Sequence, residues 1–260
     1  MDIKEFLVCE NAVLNNNHPW EYARCEVIFD ILKNYLDKDC PNKVVIDIGC
    51  GDVFFLNQFC QRYTNYTPIA VDIAFDDKIM AELSNKYKSL NAIFYKDIEE
   101  VKTDNKASVV FLMDIMEHIE NDVDFLSKLS QKPFIDNETI FVITVPAFNF
   151  LYSSHDKWLG HFRRYSHRLL KNTISKSGMS YISGGYFFFS LLLPRIIQKL
   201  FDSFYKNEEN KVTGVANWKG SKIFSFLYKN LLLFDYCFFK FFGLLGINVP
   251  GLSTYSICKR

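Results

Sequence analysis

The segment HDKWLGHFRRYS, which begins at His155, concentrates side chains that can move protons and bind anions. Histidine titrates near neutral pH, so it can remove a proton from a hydroxyl, and a neighbouring carboxylate can orient its ring. His155 together with Asp156, or alternatively His161, is therefore a candidate general base. In a second interpretation, His155 only anchors the loop through hydrogen bonds.

The same segment carries Arg163, Arg164 and Tyr165 in succession. Guanidinium groups bind phosphate and carboxylate in a bidentate way, so these residues are candidates for holding an anionic substrate. The charge distribution leaves another interpretation open. Residues 1–154 carry 14 Lys/Arg against 25 Asp/Glu, whereas residues 155–260 carry 16 against 5, so the arginines could instead pair with acids of the N-terminal part.

The elements that must position this segment follow an alternating α/β pattern. Short apolar, β-branched runs alternate with stretches of helical character, as is typical of parallel βαβ units. Strands are predicted at 43–48, 68–73, 92–97, 108–114 and 139–145, and helices at 54–62, 76–88 and 121–131. The segment HDKWLGHFRRYS follows the fifth strand, so it should lie at the carboxyl ends of the strands, where open α/β sheets bind ligands.

The C-terminal part should complete the same sheet. Ser166 is expected to cap a helix that Gly178 ends, because serine and glycine favour these two positions. That helix is predicted at 167–176, and two further strands are predicted near 179–189 and 251–260. We therefore assign residues 1–189 and 250–260 to one domain and residues 190–249, which are rich in Phe and Leu, to a helical insertion.

A glycine turn follows the first strand, in the sequence Asp47-Ile48-Gly49-Cys50-Gly51. Glycine permits a sharp turn and lets backbone amides approach a ligand closely. Asp72 ends the second strand, 25 residues after Asp47, where a carboxylate can accept hydrogen bonds from ribose hydroxyls. Asp97 ends the third strand. A capping role in the next turn is the alternative for both carboxylates.

DIGCG at 47–51 and MDIMEHIEND at 113–122 resemble motifs of the class I S-adenosylmethionine-dependent methyltransferases. The resemblance covers about residues 15–189 and 251–260. It implies a Rossmann-like fold with a doubly wound, mostly parallel seven-stranded sheet and an antiparallel last strand, and S-adenosylmethionine as the cofactor. The implied cofactor-binding residues are Asp47, Gly49, Cys50, Gly51, Asp72, Ile73, Asp97 and Asp114.

The pattern HDxxLGHxRRY is similar to a segment of bacterial methyltransferases of unknown substrate that are associated with polysaccharide or lipid-linked glycan pathways. The resemblance implies methyl transfer to a hydroxyl of a small anionic or lipid-linked acceptor. Two alternatives are a non-catalytic membrane adaptor that binds S-adenosylmethionine and a nucleic-acid methyltransferase. Long Phe/Leu runs interrupt the C-terminal basic charge, so a nucleic-acid partner is not expected.

Val53, the segment HPWEYAR and the pair Glu117-His118 are three further points of comparison with the family. Val53 stands where the family's glycine motif usually has a third small residue, and its branched Cβ could crowd the methionine moiety or the following helix. HPWEYAR at 18–24 resembles an N-terminal helix that closes over the cofactor in some of these enzymes. Some related O-methyltransferases bind a divalent metal with an acidic residue and a Glu-His pair, but Glu117 and His118 are adjacent and should not face one way, so no metal is predicted.

The insertion is predicted to rest on a membrane surface. The run 222–247 carries too many charges to cross a bilayer, and the run near 186–193 is too short. Lys222, Lys229 and Lys240 would share one stripe of a helix rich in Phe and Leu, as in interfacial helices that bind anionic headgroups. The alternative is packing on the sheet or a partner subunit. The polar N-terminus and scattered cysteines favour the cytoplasm, with the inner membrane face as the peripheral site.

Overall fold

One seven-stranded sheet organises the chain in the computed structural model, which describes residues 17–36, 43–204 and 220–260. The strand order is β3-β2-β1-β4-β5-β7-β6. Strands β1 to β5 are mutually parallel, and β7 runs antiparallel between β5 and β6. The strands are β1 (Lys43–Ile48), β2 (Tyr66–Val71), β3 (Ile93–Tyr95), β4 (Ala107–Met113), β5 (Ile140–Pro146), β6 (Ser180–Phe187) and β7 (Ser253–Lys259). The predicted fold class is confirmed.

Helices cover both faces of the sheet. They are α1 (Pro19–Leu32), α2 (Phe54–Arg62), α3 (Asp77–Lys86), α4 (Asp122–Ser130), α5 (Ser154–Leu159), α6 (His167–Lys176), α7 (Phe189–Phe204) and α8 (Lys222–Leu244). Successive strand residues alternate between two apolar cores, with Val45 in one and Ile46 in the other. The first core packs against α1, α2, α3 and α8, and the second against α4 and α6. The result is a three-layer α/β/α arrangement.

The predicted helix and strand bounds agree with the observed ones to within two residues. Local signals explain this agreement: the Ser166 hydroxyl caps α6 by accepting from the Leu169 amide at 3.1 Å, and Gly178 takes a positive φ of 85° just beyond the helix. The second strand begins and ends two residues earlier than predicted. Asp72 therefore lies in the loop after β2 and not in the strand.

The strand order places the functional loops together. β1 lies between β2 and β4, so the connections leave the sheet in opposite directions from this point. Such a reversal opens a crevice at the carboxyl ends of the strands, because the neighbouring loops diverge there. The glycine turn after β1 borders this crevice.

Within the described part of the stretch between β6 and β7, where a helical insertion was predicted, the structure has two helices, α7 and α8. α8 packs on α1: Leu232 and Tyr236 are buried in the first core, and the Tyr236 hydroxyl donates to Asp30 at 2.8 Å. Lys240 pairs with the same Asp30 carboxylate, so this lysine of the predicted stripe lies at the border of the packed face. Among the described helices, none is long and apolar enough to cross a membrane.

Candidate functional site

A cavity of about 750 Å³ opens at the carboxyl ends of the parallel strands. Residues that follow β1, β2, β3 and β4 line it, together with residues of α1, α5 and α7. We distinguish two parts. The glycine-turn end is formed by Gly49, Asp72, Ile73 and Asp97, and the histidine end by His155, Asp156, His161, Arg164 and Arg195.

The glycine turn has the backbone conformation that its residues predict. Gly49 and Gly51 have φ values of 68° and 54°, in the region that favours glycine. A Cβ on Gly49 would lie 2.0 Å from Cδ1 of Ile115, so the turn and the loop after β4 are in close contact. The Gly51 amide donates to the Asp72 carboxylate at 2.9 Å, which joins the turn to the loop after β2.

The carboxylates after β2 and β3 lie in the same cavity. Asp72 is buried and also accepts from the Ala74 amide at 3.0 Å. Asp97 is exposed and caps a short 3-10 turn by accepting from the Glu99 amide at 3.0 Å. The capping role considered from the sequence is therefore present in both cases. Ile73, which directly follows Asp72, also lines the cavity and has 81% of its surface exposed, the largest exposed fraction among the large apolar side chains of the described residues.

Three predicted cofactor residues support the cavity from outside its lining. Asp47 lies beneath the turn, and burial raises its pKa to about 8 despite the opposing effect of Arg24. Cys50 is buried, and burial raises the pKa of its thiol well above the usual value. Gly51 contributes its amide to Asp72. Among the described residues, these three are not part of the cavity lining, whereas Gly49, Asp72, Ile73, Asp97 and Asp114 are.

Val53 turns its side chain into the core. Its φ of 52° is left-handed, an unfavourable conformation for a β-branched residue. The residue is fully buried among apolar side chains and is absent from the cavity lining within the described chain. Val53 therefore strains the start of α2 without narrowing the cavity.

Helix α1 closes one side of the cavity with Trp20, Glu21 and Arg24. Arg24 is buried, lies 4.8 Å from the centre of the Trp20 ring and pairs with Asp114 after β4. Asp114 also accepts from the Thr144 hydroxyl at 3.3 Å. Arg24 thus pairs with an acid, and the same pair forms part of the cavity wall.

Asp156 is the centre of the histidine end. It is fully buried and accepts two hydrogen bonds from Arg164, at 2.7 and 3.0 Å, and one from the Ser153 hydroxyl at 2.9 Å. His161 Nδ1 lies 3.0 Å from Asp156 Oδ1, the same oxygen that accepts from Arg164 Nε. Burial by itself would raise the pKa of Asp156, but the hydrogen bonds from His161 and Arg164 outweigh it and hold that pKa well below the usual range.

His155 lies in the cavity wall next to this network. Its ring stacks on Trp158 with the centroids 5.8 Å apart. Burial lowers the pKa of His155, and the nearby Arg195 guanidinium lowers it further. The ring is therefore neutral at pH 7, the state in which an imidazole can accept a proton.

Two predicted acceptor residues lie elsewhere. Arg163 pairs with Asp122 at 2.9 Å and donates to the Glu120 carbonyl at 2.7 Å. Tyr165 is fully buried, and its hydroxyl donates to Asp122 at 2.7 Å. Neither is part of the cavity lining. Arg163 therefore follows the second interpretation of the sequence, in which it pairs with an acid of the N-terminal part and does not face a substrate.

Glu117 and His118 do face the same space, contrary to the expectation from their adjacency. They share a 3-10 turn, Met116–His118, and one ligand-type atom from each lies within 4.8 Å of the other and of His161. Adjacent side chains point to different sides on a regular helix or strand, but Glu117 and His118 lie in a 3-10 turn. In a tight turn, neighbouring side chains can converge.

Arg195 is a cavity residue that the sequence analysis missed. It comes from α7 and donates to the Ser153 hydroxyl at 2.8 Å, with Asp156 at 4.0 Å. The available signal was a single arginine in the apolar run SLLLPRIIQKL, which was assigned to the insertion and not to the site.

No family model matches the chain, and no curated protein matches it. Solved structures do match. Coclaurine N-methyltransferase bound to N-methylheliamine and S-adenosylhomocysteine superposes with a TM-score of 0.58 at 14% identity, over 100% of this chain and 79% of that chain. The chain has a methyltransferase fold.

Two further solved structures support the same fold. Geranyl diphosphate C-methyltransferase from Streptomyces coelicolor, in complex with Mg²⁺, geranyl diphosphate and S-adenosylhomocysteine, gives a TM-score of 0.55 at 12% identity, over 92% of this chain and 77% of that chain. An S-adenosylmethionine-dependent methyltransferase from Clostridium acetobutylicum gives 0.51 at 11% identity, over 92% and 91%. These likenesses concern the fold, and the chemistry is argued from the cavity.

Proposed function

We propose that this protein is an S-adenosylmethionine-dependent methyltransferase that acts on a hydroxyl of a small anionic or lipid-linked acceptor. The observation that carries the proposal is the composition of one cavity: hydrogen-bonding carboxylates and a glycine turn at one end, and a histidine-carboxylate-arginine network at the other. The methyltransferase fold supports it.

The glycine-turn end fits an adenosyl group. Asp72 and Asp97 offer carboxylate oxygens to ribose hydroxyls from neighbouring strand ends, and the exposed Ile73 and the half-buried Ile98 offer apolar surface to a flat base. Gly49 lines the cavity and has no side chain, so its backbone can approach a ligand there. When bound, S-adenosylmethionine would supply an electrophilic methyl group on a positively charged sulfur.

The histidine end would hold and deprotonate the acceptor. His155, neutral at pH 7, is proposed to accept the proton of the acceptor hydroxyl. Arg195 and Arg164 are proposed to bind an oxyanion of the acceptor, Arg195 taking the place that the sequence suggested for Arg163. Trp20 and Leu159 would help to exclude water, which direct displacement at the methyl carbon requires.

Calorimetry with S-adenosylhomocysteine tests the cofactor proposal. Asp72→Ala should weaken binding about tenfold to a hundredfold, since hydrogen bonds to a charged group contribute about 1.5–3 kcal/mol. Asp76→Ala is the matched control, because Asp76 caps α3 by accepting from the Ile79 amide and lies outside the cavity lining. An equal loss of affinity in both variants would contradict the role of Asp72.

We also propose that α8 rests on an anionic membrane surface. The face of α8 turned away from α1 exposes large apolar side chains, among them Phe234 at 68%. This face also includes Ile223, Phe226, Leu227, Leu231, Phe238 and Phe241. An apolar surface of this extent is typical of an interaction site, and the basic C-terminal part favours a negatively charged partner.

Vesicle cosedimentation tests the membrane proposal. Wild-type protein should bind vesicles that contain anionic phospholipid, more weakly as salt rises, and Phe234→Glu with Phe241→Glu should abolish binding. Binding should fall less in Lys222→Gln, which removes only one exposed charge. The membrane proposal would be refuted if the wild-type protein did not bind the vesicles and instead formed a dimer that the same double substitution dissociates.

A further inference from the structure

We propose that Glu117, His118 and His161 bind one divalent transition-metal ion in the wall of the cavity. Each residue offers one ligand atom, and the three atoms all lie within 4.8 Å of one another. Metal bonds of about 2.1 Å to nitrogen or oxygen place ligand atoms about 3–4 Å apart, so a small closure of the site would complete the coordination. All three residues line the cavity, so an ion there would be accessible from it.

The protein holds the ligand-bearing segments together. Glu117 and His118 lie on the 3-10 turn after β4, and His161 lies in the loop after α5. The Phe162 amide donates to the Glu117 carbonyl at 2.7 Å, and the Tyr165 hydroxyl donates to the Met116 carbonyl at 3.0 Å. These two bonds fix the position of the histidine loop relative to the turn before any ion binds.

The orientation of His161 is also appropriate for a ligand. Its Nδ1 is paired with Asp156 Oδ1 at 3.0 Å, so Nε2 is the ring nitrogen that remains for a metal. Metal-binding histidines commonly donate their other nitrogen to a carboxylate, which fixes the ring and makes it a better donor. Arg164 keeps Asp156 in place through two hydrogen bonds. The His118 ring is perpendicular to the His161 ring, with the centroids 4.5 Å apart.

The ligand set indicates the class of ion. Two imidazoles and one carboxylate favour first-row ions such as Zn²⁺, Co²⁺ or Fe²⁺, whereas Mg²⁺ and Ca²⁺ prefer oxygen ligands. Three protein ligands leave coordination positions open toward the cavity. If the proposed function is correct, an acceptor oxygen could occupy one of them and lose its proton more readily, because a bound cation lowers the pKa of a coordinated hydroxyl. Metal binding itself does not depend on that function.

Calorimetric titration of chelator-treated protein with ZnCl₂, and with CoCl₂ followed by visible absorption, tests the site. One ion should bind per chain, and Glu117→Gln, His118→Gln and His161→Gln should each weaken binding at least tenfold. His155→Gln is the matched control, since His155 lies in the same cavity outside the cluster, and it should bind the ion like wild type. S-adenosylhomocysteine binding is measured on the same samples, so a variant with an unfolded cavity is recognised.

Two results would overturn the metal proposal: no binding by wild-type protein at millimolar ZnCl₂ or CoCl₂, or binding that the three ligand variants leave unchanged. An equal loss in His155→Gln would overturn it as well, because the ion would then not depend on the cluster. Metal binding without S-adenosylhomocysteine binding would support the metal site and contradict the proposed cofactor, so the two failures are distinguishable.

Discussion

At the glycine-turn end of the cavity, the functional groups come from loops of a few residues directly after β1, β2 and β3. At the histidine end, they come from α5, the loop after it and α7, and they depend on one buried carboxylate. The first end is therefore determined by backbone geometry at the strand ends, and the second by side-chain pairing around one buried carboxylate. Substitutions should damage the two ends in different ways.

The largest loss in the free energy of unfolding is expected from Asp156→Asn. This change leaves Arg164 buried with a neutral partner, and breaking a buried pair by altering one member costs about 3–5 kcal/mol. Urea unfolding measures the loss. Asp124→Asn is the matched control: its pair with Lys128 at 2.8 Å is exposed, so the free energy of unfolding should change by less than about 1 kcal/mol. Similar losses in the two variants would contradict the central role of Asp156.

The same residue should make wild-type stability sensitive to acid. The pKa of Asp156 is lowered in the folded protein, so its stabilisation is complete above the ordinary aspartate pKa and is lost as the pH falls toward the folded value. Unfolding measured below about pH 4 should therefore show a smaller acid-dependent loss in Asp156→Asn than in wild type.

Gly49→Ala should act on the glycine-turn end. An alanine at a φ of 68° and in contact with Ile115 should lower the free energy of unfolding by about 2–4 kcal/mol. Affinity for S-adenosylhomocysteine should fall as well. Gly243→Ala in α8 is the control, since an added Cβ there meets no atom within 4 Å and alanine favours helix. Thermal unfolding and calorimetry measure the two quantities. Unchanged affinity in a folded Gly49→Ala protein would argue against a cofactor at this turn.

Substitutions of Arg195 and Arg163 should distinguish the histidine end of the cavity from the protein surface outside it. Arg195→Gln should raise the KM for the acceptor about tenfold to a hundredfold, because the proposed oxyanion contact is lost. S-adenosylhomocysteine affinity should stay unchanged, because the bond from Arg195 to Ser153 and the nearby Asp156 belong to the histidine end and not to the glycine-turn end. Arg163→Gln removes the pair with Asp122 outside the cavity and should leave both constants near wild type. The reverse outcome, with Arg163 controlling acceptor KM, would restore the original sequence prediction.

The smallest expected effect is on the pH dependence of methyl transfer. Because burial and Arg195 lower the pKa of His155, the proposed base stays deprotonated to lower pH than an ordinary imidazole. The rate of methyl transfer, measured as kcat/KM, should therefore fall only below the usual histidine range of about pH 6.5. His155→Gln should remove this acidic limb, whereas a limb that persists in the variant would assign it to another group.

The contrast between the two ends also explains what could be predicted from the sequence. Gly49 and Asp72 were identified because strand ends and glycine turns leave local signals, and the strands follow directly from apolar runs. Arg195, by contrast, reaches the cavity only because α7 lies beside the segment just before α5, where Arg195 donates to Ser153 and Lys199 donates to the Tyr152 carbonyl. This long-range placement leaves no spacing pattern. Arg163 and Arg164 are adjacent in sequence, yet only Arg164 faces the cavity, because Asp156 and Asp122 draw them to opposite sides. Glu117 and His118 converge because they share a tight turn.

The most direct test of the account is a crystal structure with bound S-adenosylhomocysteine. We expect the ribose hydroxyls within hydrogen-bond distance of the Asp72 carboxylate, the base against Ile73, and the sulfur facing the histidine end. A ligand whose ribose lies away from Asp72, or whose sulfur faces away from His155 and His161, would contradict the claim that one cavity joins a cofactor end to an acceptor end.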